Sequence, residues 1–168
     1  QRDRQQRFVE LHHHRRRQPP RHLRAVQRHA RLFAVVETLD NGKPIRESRD
    51  IDIPLAIRHF YHHAGWAQLL DSEFPAHEAL GVVGQIVPWN FPLNLSFLPL
   101  VAIFAAGNRA MVKMSENSRH LAALLIDKIP AYFAPEKLQF FDETGGVGIA
   151  FSQLPFDHLL FTGSTQTG

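Results

Sequence analysis

The chain has 168 residues, 44% of them hydrophobic, with a mean hydropathy of −0.22, which suits one soluble globular domain or slightly more with a real core. It contains no cysteine, so disulfides, thiolate metal sites and thiol nucleophiles are excluded from these residues, and no apolar run approaches the ~18–20 residues of a membrane span. The net charge of +3 is unevenly spread: residues 1–31 carry ten arginines against Asp3 and Glu10, a balance of +8, while the remainder balances at −5. The pI of about 9.7 is therefore set by one arm on a mildly acidic body.

That arm, residues 1–22, has few apolar residues and a Pro19-Pro20 break, and reads as poorly ordered. Its first residues are charged, so no secretory leader is read, and a start at Gln1 suggests that the true beginning is missing. A basic arm can grip nucleic acid or anionic lipid, but no stacking aromatics interrupt it, and the expectation is a solvated arm. His12–His14 form no defined metal site, being consecutive in such a segment.

From Leu23 the pattern turns helical. Leu23, Val26, Ala30, Phe33 and Val36 recur at three- and four-residue steps, with Leu32, Val35 and Leu39 widening the stripe. Asn41-Gly42 predicts the stop, and Pro44 lies just beyond it. A second helix is expected from about Pro54 through Ala56, Phe60, Ala64 and Ala67. His59, His62 and His63 share one of its faces, and a packing or surface role is preferred there over a metal site. Residues 23–80 thus form a helical segment.

After Leu80 short β-branched runs alternate with helical ones. "GVVGQIVPW", "RAMVKMS", "KLQFF" and "HLLFT" read as strands; "PLNLSFLPLVAIFAAG", "SRHLAALLIDKIPAYFA" and "GIAFSQL" read as helices, with Pro130 bending or ending the second. Four strands alternating with helices over short connections predict parallel βαβ units with helices on both faces of the sheet.

Such a sheet binds ligands at the carboxyl ends of its strands. After the first strand, Pro88 and Pro92 stiffen a segment holding Trp89 and Asn90. A rigidly held amide can donate to a developing oxyanion, or Asn90 can simply satisfy a turn, and spacing does not choose between them. After the second strand, Lys113 and Glu116 suit ribose or phosphate contacts, against the alternative of a solvated pair or a helix cap. After the third, Gly145, Gly146 and Gly148 only weakly resemble a phosphate loop. After the fourth, Gly163 allows close backbone approach beside the hydroxyls of Ser164 and Thr165.

Together "GVVGQIVPWNFPL", "AAGNRAMVKMSE" and "LPFDHLLFTGST" resemble the NAD(P)-dependent aldehyde dehydrogenase superfamily, and the later half is similar to its coniferyl-aldehyde-dehydrogenase branch. "ARLFAVVETLDNGKPIRESRDIDIP" and "HFYHHAGWAQ" are aldehyde-dehydrogenase-like as well, of a different branch. The resemblance implies an α/β fold, an incomplete Rossmann-like parallel sheet preceded by N-terminal helices, with residues 81–168 as the first part of a dinucleotide-binding domain. It implies NAD as cofactor, with NADP tolerated by many relatives.

It also implies roles. Asn90 would stabilise the oxyanion of a thiohemiacetal. Val87, Pro88 and Trp89 would lie beside the nicotinamide-ribose half, and Lys113 and Glu116 would contact the adenosine ribose. Phe161, Thr162, Gly163 and Ser164 would form the turn beneath the cofactor, with Gly168 at the helix start that follows. Two departures stand out: Met114 replaces a proline, and "DETGG" replaces the T-G pattern after the third strand, so an altered adenine pocket is expected. The family's cysteine nucleophile and general-base glutamate are expected beyond the F-T-G-S segment. The reading is therefore an N-terminal fragment, inactive alone, of a cytoplasmic enzyme whose partners are a small-molecule aldehyde and further copies of itself, with no membrane partner; the alternative is a non-catalytic nucleotide-binding pseudoenzyme or, against the expectation for the arm, a nucleic-acid-binding module that uses it.

Overall fold

The computed structural model describes residues 21–168, with side chains from Arg24 onward. The expectations for the basic arm and His12–His14 therefore lie outside the described residues, apart from the backbone at 21–22.

Helix α1 spans Arg21–Arg28 and α2 spans Ala30–Asn41. The single helix expected from Leu23 is interrupted at His29, whose backbone leaves the helical region at φ −107° and ψ 12°. Its ring packs edge-on against Phe33 and Tyr132 and shares a 3.1 Å hydrogen bond with the Tyr132 hydroxyl. Gly42 ends α2 in the left-handed conformation at φ 75°, donating its N–H to the Thr38 carbonyl as the Asn-Gly signal requires. The buried face of α2 differs from the expected stripe: Phe33, Ala34 and Glu37 point inward, while Leu32, Val35 and Leu39 are exposed. The face is turned because Glu37 has a partner inside, Lys43.

Beyond Pro44, a helical turn at Ile45–Glu47 and a widened turn at Ser48–Asp52 run directly into α3, Ile53–Trp66. Ala56 and Phe60 bury its inner face as expected, and the helix closes just before Ala67. A short turn at Leu70–Glu73 leads to the sheet.

The strands are β1 Val82–Ile86, β2 Arg109–Lys113, β3 Leu138–Phe141 and β4 His158–Phe161. All pairings are parallel and the spatial order is β3-β2-β1-β4. The connecting helices are α4 Pro92–Ala105, α5 Arg119–Lys128 and α6 Val147–Ser152. Pro130 ends α5 and converts the continuation into a tighter turn at Ile129–Ala131.

Helix α4 tolerates Pro99 in its interior for an identifiable reason. Proline cannot donate to the Leu95 carbonyl four residues back. The fully buried side chain of Gln85, midway along β1, donates to that carbonyl at 2.6 Å and to Ser96 at 3.1 Å. A polar residue in a central strand thereby repairs a break in the helix that covers it.

The N-terminal helices and this face of the sheet share one core. Val26, Phe33, Ala56 and Phe60 pack in the same cluster as Leu93, Phe97, Val112, Leu121 and Phe140. Asp40, on α2, accepts the Leu121 N–H at 2.8 Å and so binds α2 to the first turn of α5. On the other face, Phe151 of α6 packs against Phe141 and Phe156. The amino ends of the strands are tied by side chains: Asn108 accepts the Gly81 N–H and Asp157 accepts the Val82 N–H. Among the described residues no helix is long and apolar enough to cross a membrane.

Candidate functional site

The chain lays down β1, β2 and β3 side by side, then crosses back to place β4 on the other side of β1. The connections diverge at the carboxyl ends of β1 and β4, which opens a crevice there. A cavity of about 700 Å³ occupies this end of the sheet, within the usual range for a small-molecule site.

Each strand contributes to its wall. From β1 come Ile86 and the extension Val87, Pro88 and Trp89; the Val87 N–H bonds the Lys113 carbonyl at 3.0 Å, so the extension leaves the sheet in a fixed direction. From β2 come Lys113, Ser115 and Glu116. Met114, where the resemblance expects proline, is fully buried beneath them and accepts a contact from the Ser96 hydroxyl. Ser115 starts the turn at Glu116–Ser118: its hydroxyl accepts the Asn117 N–H and donates to the Glu116 carboxylate, both at 3.2 Å. From β4 come Phe161, Thr162, Gly163, Ser164, Thr167 and Gly168, with the Ser164 and Thr167 hydroxyls 2.7 Å apart on an exposed turn. Gly163 leaves room for the Phe161 ring, into which an added Cβ would run.

The ten residues expected to hold a cofactor all line this one cavity: Val87, Pro88, Trp89, Lys113, Glu116, Phe161, Thr162, Gly163, Ser164 and Gly168. Asn90 does not line it. It is exposed just past Trp89, and its carbonyl accepts the Asn41 side-chain N–H at 3.3 Å.

Residues after β3 contribute more than expected. Gly146, Gly148, Ile149 and Ser152 complete the wall. Glu143, not singled out in the sequence, forms an ion pair with Lys113, and its other oxygen accepts the Gly148 N–H at 3.2 Å. The Lys113 hydrogen bond holds the Glu143 carboxyl below its usual range, against a burial penalty and with help from the Gly148 N–H. The register could have located it: Lys113 pairs with Phe141, the last residue of the neighbouring strand, and Glu143 lies two residues past that end.

Away from the cavity, His59 and His63 stack with ring centroids 5.9 Å apart. Among the described residues no group of three or more His, Asp or Glu could hold a metal ion.

Comparison with known proteins agrees with this fold. Residues 3–168 match the model of the aldehyde dehydrogenase family. A probable coniferyl aldehyde dehydrogenase of Pseudomonas aeruginosa is 51% identical over 92 residues, which is 55% of this chain and 19% of that protein. An acetaldehyde dehydrogenase of the same organism is 38% identical over 156 residues, covering 85% of this chain and 31% of that one. The chain thus spans less than a third of the length of these curated relatives. Among solved structures, the NAD+ complex of an aldehyde dehydrogenase from Bacillus cereus superposes with a TM-score of 0.73 at 33% identity, over 88% of this chain and 34% of that one. With a family match along nearly its whole length and a parallel sheet of the same architecture, the chain belongs to the aldehyde dehydrogenase family.

Proposed function

We propose that these residues form the cofactor-binding wall of an enzyme that oxidises an aldehyde to a carboxylic acid with NAD, or with NADP in its place. The observation that carries this reading is the gathering of ten strand-end residues around one cavity at the switch point of a parallel sheet. A dinucleotide suits what the cavity offers. Gly163 keeps backbone bare beside the exposed Ser164 and Thr167 hydroxyls, where a phosphate can be held, and Lys113 and Glu116 offer a cation and a carboxylate to ribose. When bound, the cofactor accepts a hydride from the substrate carbon.

The chain's own residues bind and orient. Pro88 fixes the course of the segment that carries Trp89, whose ring would lie against the nicotinamide half and shield it from water. Asn90, exposed beyond Trp89, donates its amide to the aldehyde oxygen as negative charge develops there. The 168 residues contain no cysteine, so no thiolate within them attacks the aldehyde, and the nucleophile belongs to the longer protein that the relatives exemplify. The substrate is a small-molecule aldehyde, and a cytoplasmic homo-oligomer is the setting this reading favours.

An NMR titration with NAD tests the reading. Millimolar-range binding is expected, with shifts at Gly146, Gly163 and Ser164; no shift anywhere in the cavity at about 10 mM NAD would remove it. No aldehyde oxidation is expected from these residues alone, and turnover above a denatured control would overturn that part.

A further inference from the structure

Among the described residues lining the cavity, Lys113 is the only cation, and two carboxylates, Glu116 and Glu143, share the wall with it. Its ammonium is already engaged. Glu143 pairs with it, and both side chains are largely withdrawn from solvent, at 10% and 21% exposure. The pair is built into the wall in two ways. The second Glu143 oxygen is fixed by the Gly148 N–H, and Gly148 provides the space: an added Cβ there would lie 2.7 Å from Glu143 Oε2 and 3.1 Å from Lys113 Nζ. With Lys113 neutralised, the charge left facing the cavity at this end is that of Glu116, whose side chain is exposed.

We infer that Glu143 is a specificity-determining residue: by occupying Lys113 it leaves this end of the cavity net negative, and so selects a nucleotide whose adenosine ribose carries free hydroxyls over one bearing a 2′-phosphate. The inference deepens the cofactor reading above and rests on it. Ribose hydroxyls can donate to either carboxylate without a charge penalty. A 2′-phosphate brings up to two negative charges toward Glu116 and Glu143 and finds no free cation among the described residues of the wall to offset them. Releasing Lys113 from Glu143 would supply that cation.

The test compares two probe pairs that differ only by the phosphate, NAD with NADP and 5′-AMP with adenosine 2′,5′-bisphosphate, by NMR titration of the 168-residue chain. The wild-type protein is expected to prefer the member without the 2′-phosphate at least tenfold in each pair. Glu143→Gln keeps the shape and the Gly148 contact but removes the charge, and is expected to narrow the gap at least fivefold, chiefly through tighter binding of the member that carries the 2′-phosphate. Glu143→Asp keeps the charge and is expected to retain the preference, which a merely structural role would not predict. In the wild type the gap is also expected to shrink between 20 and 500 mM salt, a readout that survives if a variant fails to fold. Bound NAD with an unchanged gap in Glu143→Gln, or a gap insensitive to salt, overturns the role of Glu143. If neither NAD nor 5′-AMP binds, the cofactor reading falls, and this inference with it.

Discussion

Two lysines among the described residues each have two carboxylates in their surroundings, and those surroundings give them opposite uses. Lys43 reaches Glu37 at 3.1 Å and Asp52 at 2.7 Å, its ammonium lies 4.0 Å from the centre of the Phe91 ring, and the Asn94 amide donates to Asp52 at 2.8 Å. Glu37 and Asp52 are essentially buried, so the set is closed and joins α2 and the Ser48–Asp52 turn to the first residues of α4. Lys113 has a similar complement in Glu143 and Glu116, but on the wall of an open cavity. The charge count alone therefore does not separate structural from ligand-facing clusters; access does. An enclosed set must satisfy itself, whereas an open one can exchange a partner for a ligand.

The comparison breaks most sharply at Lys43. Lys43→Ala leaves two buried carboxylates facing each other without their cation, and a loss of about 3–5 kcal/mol of folding stability is expected, read from urea unfolding. A loss below about 1 kcal/mol would mean that water reaches the set and that the two lysines are not different in kind. At the other lysine the same type of disturbance is expected to be local. Gly148→Ala places a methyl group against both members of the Lys113–Glu143 pair and moves them apart. Stability is expected to change by no more than about 1 kcal/mol, because the pair lines an open cavity where water can reach a displaced partner. The Glu143 carboxyl, now held low chiefly by Lys113, is expected to titrate closer to the usual glutamate range, as carbon-13 NMR of its side chain would record. An unmoved titration would show that Lys113 is not what holds it.

Much of the fold was legible because its signals are local. The strand and helix alternation after Leu80, the Gly42 stop and the end of α5 at Pro130 each depend on a few adjacent residues. What the periodicity could not carry was the consequence of contacts made far along the chain. The inward turn of Glu37 needs Lys43, beyond the end of the helix, and the break at His29 brings its ring to Tyr132, 103 residues away. The place of Gln85 in a central strand is explained only by Pro99 on the helix above, whose missing N–H leaves the Leu95 carbonyl for the Gln85 amide. The strand ends pointed to this edge of the sheet because parallel strands bring their carboxyl ends together, while Val87, Phe161, Thr162 and Gly168 came from the family resemblance. Glu143 escaped because its meaning lies in a neighbour across the sheet, Lys113, and no local pattern marks that pairing.

The smallest expected effect sharpens the same contrast through pH. The Glu37 carboxyl is raised above its ordinary value of 4.5, first by burial and further by Asp52, with Lys43 opposing both. The folded protein therefore holds the Glu37 proton more tightly than the unfolded chain does. That contribution to stability is complete below about pH 4.5 and is lost as pH rises through the folded value. Glu143 has the opposite sign: its lowered carboxyl contributes above 4.5 and loses that contribution as pH falls. Glu37→Gln removes the titrating group but keeps an acceptor for Lys43, so the difference in urea midpoint between this variant and the wild type should move in the variant's favour as pH rises from 4.5 toward 7. A midpoint difference independent of pH over that range would mean that Lys43 offsets the burial of Glu37 completely, and the enclosed lysine would then be no more strained electrostatically than the open one.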